Sequence, residues 1–329
     1  MTNRIEYIDT AKGLCILLVI YHHAQNYVNF LSPIDDVLQS FRMPLYFTLS
    51  GIFFKTYGNI KEFLTKKTNK LLIPFLFYYI FSSILFPLIF NSIGITSEKI
   101  QIASIKSLLN EDFFNLPIWF LWCLFITNLI FYLINKICLN NIKLLGVITF
   151  SVGLLGFLLG LYQIDIPLYI DSALVALPFF YFGHILKKSN FLYKQNHSFK
   201  SFTTIVILLT ILLIFAQSIN FESNYYSTSY VLLYICGIVG TGMILLIAKH
   251  IYSLPFLKLL NTIGRYSIII LCTHAIILAV ISNIINPVIE QPSVAIIAHI
   301  LIVITIEIFV IIPTFRKYLP YVNAQKDLL

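Results

Sequence analysis

Lys12 and His23 stand eleven residues apart in the stretch Arg4 to Gln25, which opens on charge (Arg4, Glu6, Asp9, Lys12) and runs apolar from Leu14 to Ile20. At about 100° and 1.5 Å per residue, a helix brings this pair onto one face, roughly 16 Å apart along the axis. A cation near the water boundary and an imidazole deep in hydrocarbon are costly to keep, and such intramembrane residues mark functional sites by default. A neutral imidazole placed there is a general base ready to accept a proton. The competing reading is a histidine hydrogen-bonded between helices, with Lys12 snorkelling to the interface. The company of Arg4, Asp9 and Lys12 favours chemistry. His22 lies about 100° round the same helix, so only one of the two histidines is expected to face a site.

Other stretches carry useful groups. In TKKTNKLLIP (Thr65–Pro74), Lys67 and Lys70 are three residues apart and share a helix face. Two ammonium groups held together suit a phosphate-rich cytosolic ligand, and equally fit ordinary positive flanking of a span. In FRMPLYFTLSGIFF (Phe41–Phe54), Pro44 and the Ser50-Gly51 pair bend a helix and let a neighbour or ligand come close. Arg42 either reads an anionic or hydroxyl-rich acceptor or pairs with Asp35 or Asp36. LPIWFLWCLF (Leu116–Phe125) contributes Trp119 and Trp122, which also fit an interfacial aromatic belt. LNTIGRYSIIILCTHAIIL (Leu260–Leu278) sets His274 roughly 13 Å into a span that begins near Arg265. Glu307 is the carboxylate clearly inside a span; it needs a proton or a partner, with His274 or His23 as candidates. Asp171 reads as a solvated boundary charge.

The elements that must hold these groups are transmembrane helices. Over 329 residues the chain is 59% hydrophobic and 11% charged, with mean hydropathy +0.88, which excludes a soluble domain and predicts an all-α polytopic membrane protein. Apolar runs predict about ten spans, at roughly 12–30, 40–56, 70–92, 116–135, 143–162, 167–186, 202–219, 228–248, 265–286 and 293–314. With both termini cytoplasmic, all of the 22 Lys and Arg except Arg42, Lys99 and Lys106 fall on the cytoplasmic side. The opposite side carries Asp35, Asp36, Glu98, Glu111, Asp112, Asp165, Asp171, Glu222 and Glu290. The +8 net charge is therefore a topology signal, and nucleic acid is rejected as a partner. No cleavable signal peptide is expected, and 1–329 reads as one integral-membrane domain. In the longest polar connection, Asn91–Asn115, the KIQIASIKSLLN stretch predicts a short interfacial helix. Five cysteines show no paired spacing, so neither a disulfide framework nor a metal site is expected.

The ordered set IDTAKG with a histidine eleven residues after its lysine, FRMPLYFTLSG, the basic pair ahead of LLIP, WFL at Trp119, PFFYFGHIL (Pro178–Leu186) and GRYS with a later TH resembles the acyltransferase family 3 membrane proteins. Within them it is similar to the branch of fucose 4-O-acetylase-like proteins. Each motif is short; their order along nearly the whole chain is what carries the resemblance. It implies a ten-helix membrane O-acyltransferase of the bacterial inner membrane, with no resident cofactor, using cytosolic acyl-CoA (acetyl-CoA) as co-substrate. The implied acceptor is a sugar hydroxyl on a cell-surface glycan or its lipid-linked precursor. By the same resemblance His23 matches the essential histidine and Lys12 the basic residue before it, with Asp9 and Lys12 setting its orientation or field. Lys67 and Lys70 match the paired acyl-CoA-binding positions, where lysine replaces the commoner arginine and grips phosphate as a point charge rather than a fork. Arg42 stands where much of the branch has histidine, which leaves the acceptor open. Arg42, Ser50, Trp119, His274 and Glu307 are the expected acceptor-side or supporting residues. The rival class is a transporter or flippase for a lipid-linked saccharide, against which the absence of a visible internal repeat counts.

Overall fold

The computed structural model describes residues 5–30, 32–92, 103–139, 141–189, 192 and 199–329. Among them the chain is all-α apart from one small hairpin. Its helices are α1 (Glu6–Val28), α2 (Asp35–Ile52), α3 (Ile60–Lys67), α4 (Ile73–Ser92), α5 (Ile105–Leu109), α6 (Trp119–Ile137) and α7 (Ile142–Leu161). They continue as α8 (Ile170–Lys188), α9 (Phe199–Phe215), α10 (Tyr230–Ile251), α11 (Lys258–Arg265), α12 (Ser267–Ile285), α13 (Pro292–Ile306) and α14 (Ile312–Tyr318). π-turns at Thr68–Leu72 and Glu307–Ile311 join α3 to α4 and α13 to α14 without a break. The hairpin pairs β1 (Ile219–Asn220) antiparallel with β2 (Tyr225–Tyr226). It replaces the end of the span expected at 202–219.

Among the described residues seven helical segments are long and apolar enough to cross a membrane: Ile60–Leu88, Leu116–Ile137, Ile142–Leu161, Ile170–Lys188, Tyr230–Ile251, Ser267–Ile285 and Pro292–Tyr318. The expected ten add α1, α2 and α9. The first two fall short because they carry the polar side chains that drew attention in the sequence, and the apolar part of α9, Ser201–Phe215, is short. Enclosure by other helices makes such polarity tolerable. α1 packs against α2, α10, α11, α12 and α13, so its polar positions meet protein on most sides.

Two crossings explain the motif glycines. A Cβ on Gly13 would strike the backbone carbonyl of Leu260, and one on Gly264 would strike that of Asp9. The glycines of IDTAKG and GRYS thus face each other where α1 meets α11, with Thr10 bonded to Asn261 beside them. A Cβ on Gly51 would strike the Phe180 carbonyl, and one on Gly183 that of Thr48, so FTLSG and FGH mark the α2–α8 crossing. Small residues in register on both partners allow this backbone-to-backbone contact. α1, which bears Asp9, Lys12 and His23, and α2, which bears Arg42 and Ser50, are each locked by such a crossing.

Of the expected interfacial stretch 99–110, residues 99–102 lie outside the described residues. The rest includes α5, capped by a reciprocal Ser104–Ser107 pair. Arg4, Glu98, Lys99 and Lys194, counted in the loop charges, also lie outside the described residues.

Candidate functional site

Two cavities meet inside the bundle. The smaller, about 170 Å³, opens toward the end bearing the hairpin; His22, His23, Arg42, Trp119, Asn220 and Glu222 are among its walls. The larger, about 460 Å³, opens toward the end bearing the paired lysines; Lys12, Ser50, Phe53, Tyr57, Lys67 and Lys70 are among its walls. Tyr46, Phe120 and Leu271 line both. These three side chains, from α2, α6 and α12, form the wall between the cavities, with the Tyr46 and Phe120 rings 5.3 Å apart.

Lys12 and His23 therefore keep the helical register read from the sequence but open onto different cavities. Lys12 Nζ sits 4.4 Å over the Phe53 ring, a cation–π contact at the wall of the larger cavity. His22 and His23 both line the smaller cavity, contrary to the expectation that one would face a site. Their rings meet edge to face at 5.3 Å, so the cavity straddles the ridge between two neighbouring helix positions.

His274 is fully buried, its ring 5.2 Å from that of His23. Its Nδ1 donates to the Ile270 carbonyl at 2.7 Å, which in a neutral ring leaves Nε2 as the acceptor; Nε2 has no hydrogen-bond partner. Glu307 takes neither histidine. Its Oε1 accepts a 2.6 Å hydrogen bond from Thr273 Oγ1, and it lines neither cavity. Thr273 and His274 are adjacent, about 100° apart on α12, so the helix turns the threonine to Glu307 and the histidine to α1.

Arg42 forms no ion pair with Asp35 or Asp36 among the described residues and borders the smaller cavity. Asp35 instead accepts from Gln25 Nε2 at 3.3 Å. Trp119 borders that cavity, whereas Trp122 packs on Phe75 with centroids 5.1 Å apart. Asp9 lines neither cavity; its carbonyl lies against Gly264 at the α1–α11 crossing.

The π-turn between α3 and α4 keeps Lys67 and Lys70 on the wall of the larger cavity. Lys67 Nζ lies 5.8 and 6.0 Å from the Phe63 and Phe54 ring centres. Lys70 is already engaged: Nζ donates to the Ala324 carbonyl at 2.8 Å and lies 3.5 Å from Asp327. Asp327 also pairs with Lys66 at 2.7 Å, and Lys66 holds its carboxyl below the usual carboxylate range. Asn69 Oδ1 accepts from the backbone of Leu328 and Leu329, completing the dock of the 319–329 segment on this turn. That dock, and the contribution of the hairpin to the smaller cavity, were beyond sequence reading, since no periodicity links these segments to their sites.

At the hairpin end, burial raises the Glu222 carboxyl above its ordinary range. Nearby Glu111 accepts from the Tyr169 N–H at 2.7 Å, and burial pushes its carboxyl up to about 7.

No curated protein and no solved structure matches the chain significantly. The sequence profile of the acyltransferase family 3, described as an acyltransferase domain, matches residues 5–313. That span takes in both cavities and every motif set out above. The chain belongs to acyltransferase family 3 and is an integral membrane acyltransferase.

Proposed function

We propose that the protein moves an acetyl group from acyl-CoA, held in the larger cavity, to a hydroxyl of a sugar held in the smaller one. His23 is the general base. The acceptor is a cell-surface glycan or its lipid-linked precursor, as in the fucose 4-O-acetylase-like branch. The chain crosses a bacterial inner membrane ten times with both termini in the cytosol, so the lysine-rich cavity faces acetyl-CoA.

The observation that carries this reading is the shared wall of Tyr46, Phe120 and Leu271 between a lysine-lined and an imidazole-lined cavity. CoA is a polyanion that stays out of hydrocarbon, whereas its pantetheine arm is slender enough to enter between helices. Lys67 and Lys12 hold the phosphates and the arm's entrance, and the thioester reaches the wall. A sugar hydroxyl on the other side gives its proton to His23, and its oxygen attacks the thioester carbonyl. The C–S bond then breaks, the CoA thiolate leaves, and the proton passes from the imidazolium to it or to water. Positioning of the two reactants supplies more than the base does: roughly 10⁵–10⁸ M in effective molarity against roughly 10²–10⁴-fold for the proton transfer.

Mass spectrometry of surface glycans from cells with the protein, without it, and with His23→Ala tests the proposal. Acetyl esters are expected only with the wild type. Their persistence with His23→Ala removes that residue from the mechanism, and glycans unchanged by the protein's loss contradict the acceptor class.

A further inference from the structure

Beside the larger cavity, a second cleft of about 350 Å³ opens between the α2–α3 loop and the ends of α6 and α8. Lys55, His184, Lys187 and Lys188 line it, and no carboxylate does. Tyr57 lines this cleft and the larger cavity alike, so the two adjoin. Positive flanking explains why lysines gather at this end of the spans. It does not explain why three of them and an imidazole converge on one concavity with no acid in it. Like charges brought together repel, and a cleft lined by one sign concentrates ligands of the other.

Two of the four groups are anchored. Lys187 Nζ donates to the Phe54 carbonyl at 2.8 Å. The His184 ring packs on Phe54 and Phe131, centroids 5.7 and 5.6 Å apart, and its buried Nδ1 has no hydrogen-bond partner. Phe54 also lies beneath Lys67, so the cations of the larger cavity and those of the cleft form one band around a single ring. Acyl-CoA carries phosphate in two places, a pyrophosphate and a phosphomonoester on the ribose 3′ oxygen. A band of cations in two adjoining hollows matches that division.

We infer that the cleft is a phosphate subsite that takes the ribose 3′-phosphate of the acyl donor, with Lys55 and Lys188 supplying the free charge. The inference rests on the acyl-CoA reading of the larger cavity. Lys67 then serves the pyrophosphate, and the cleft decides between CoA and its 3′-dephospho form.

The test is equilibrium binding of acetyl-CoA and acetyl-3′-dephospho-CoA to the full chain in phosphatidylcholine nanodiscs, for the wild type and a Lys55→Ala, Lys188→Ala double variant. The wild type is expected to prefer acetyl-CoA by about tenfold, the size of one charge-assisted contact. The double variant is expected to lose that preference, and Lys55→Arg with Lys188→Arg to keep it, which separates lost charge from lost fold. Equal affinities in the wild type overturn the subsite, as does a preference that survives in the double alanine variant. Repeating the titrations with phosphatidylglycerol present distinguishes a lipid headgroup: if the double variant alters only the effect of that lipid, the cleft serves lipid and the inference falls. Binding of neither thioester overturns the donor reading itself, whereas equal binding of both overturns the subsite alone.

Discussion

His23 and His274 are two rings 5.2 Å apart, one on a cavity wall and one sealed in protein with its Nδ1 committed to a carbonyl. In the proposed reaction the cavity-facing ring takes the proton and the sealed one limits where it turns. His23→Ala is expected to lower transfer about 10²–10⁴-fold with an unchanged thermal midpoint, measured as acetyl-CoA consumed by purified protein. Lys67, the last residue of α3, and Lys70, in the π-turn, are not equivalent. Lys70 spends its charge on Ala324 and Asp327, whereas Lys67 faces rings. Lys67→Ala is therefore expected to raise the KM for acetyl-CoA more than Lys70→Ala does; the reverse order in a Michaelis titration contradicts the assignment. Glu111 gives a pH prediction. Its folded carboxyl titrates at about 7, above its ordinary value, so the native state binds the extra proton. The stability it contributes is complete at pH below the unfolded value and is lost as pH rises through about 7. Thermal midpoints of wild type and Glu111→Gln should diverge between pH 5 and 7 in favour of the variant and then run parallel; a constant difference refutes the shift.

At the scale of elements, the motif glycines act by what they leave out. Gly13 with Gly264 and Gly51 with Gly183 let α1 touch α11 and α2 touch α8 at the backbone. Gly264→Ala pushes a methyl group into the Asp9 carbonyl, which a rigid helix pair relieves only by moving apart. A loss of about 1–3 kcal/mol is expected, read as a lower midpoint in detergent together with lost activity, because α1 carries His23. Much of this was legible in the sequence: the 3.6-residue register of Lys12 and His23, the polar α1 among apolar spans, and the basic face of TKKTNK. What was not legible came from adjacency across helices. Nothing in LCTHAII says that Thr273 meets Glu307 while His274 meets α1, and nothing in the span expected at 202–219 announces a hairpin. Likewise Asp327 reads as a tail residue until the fold lays 319–329 over Lys66 and Lys70.

For the whole molecule, the wall of Tyr46, Phe120 and Leu271 joins α2, α6 and α12, residues too distant in sequence for any periodicity to bring together. It lies between the two cavities, so in the proposed reaction it sets how closely the reactants approach. Leu271→Trp should fill the junction and lower kcat about 10²-fold while acetyl-CoA still binds. In the proposed orientation the lysines of the larger cavity face the cytosol and the Glu222 hairpin of the smaller one faces the opposite side. Membrane vesicles of known orientation test this two-sided arrangement most directly, with radiolabelled acetyl-CoA, which does not cross the bilayer, supplied to one face at a time. Acetyl esters on saccharide are expected only when the label is on the Lys67 face. Equal labelling from the Glu222 face, or saccharide moved across the membrane with no acetyl-CoA consumed, would contradict it.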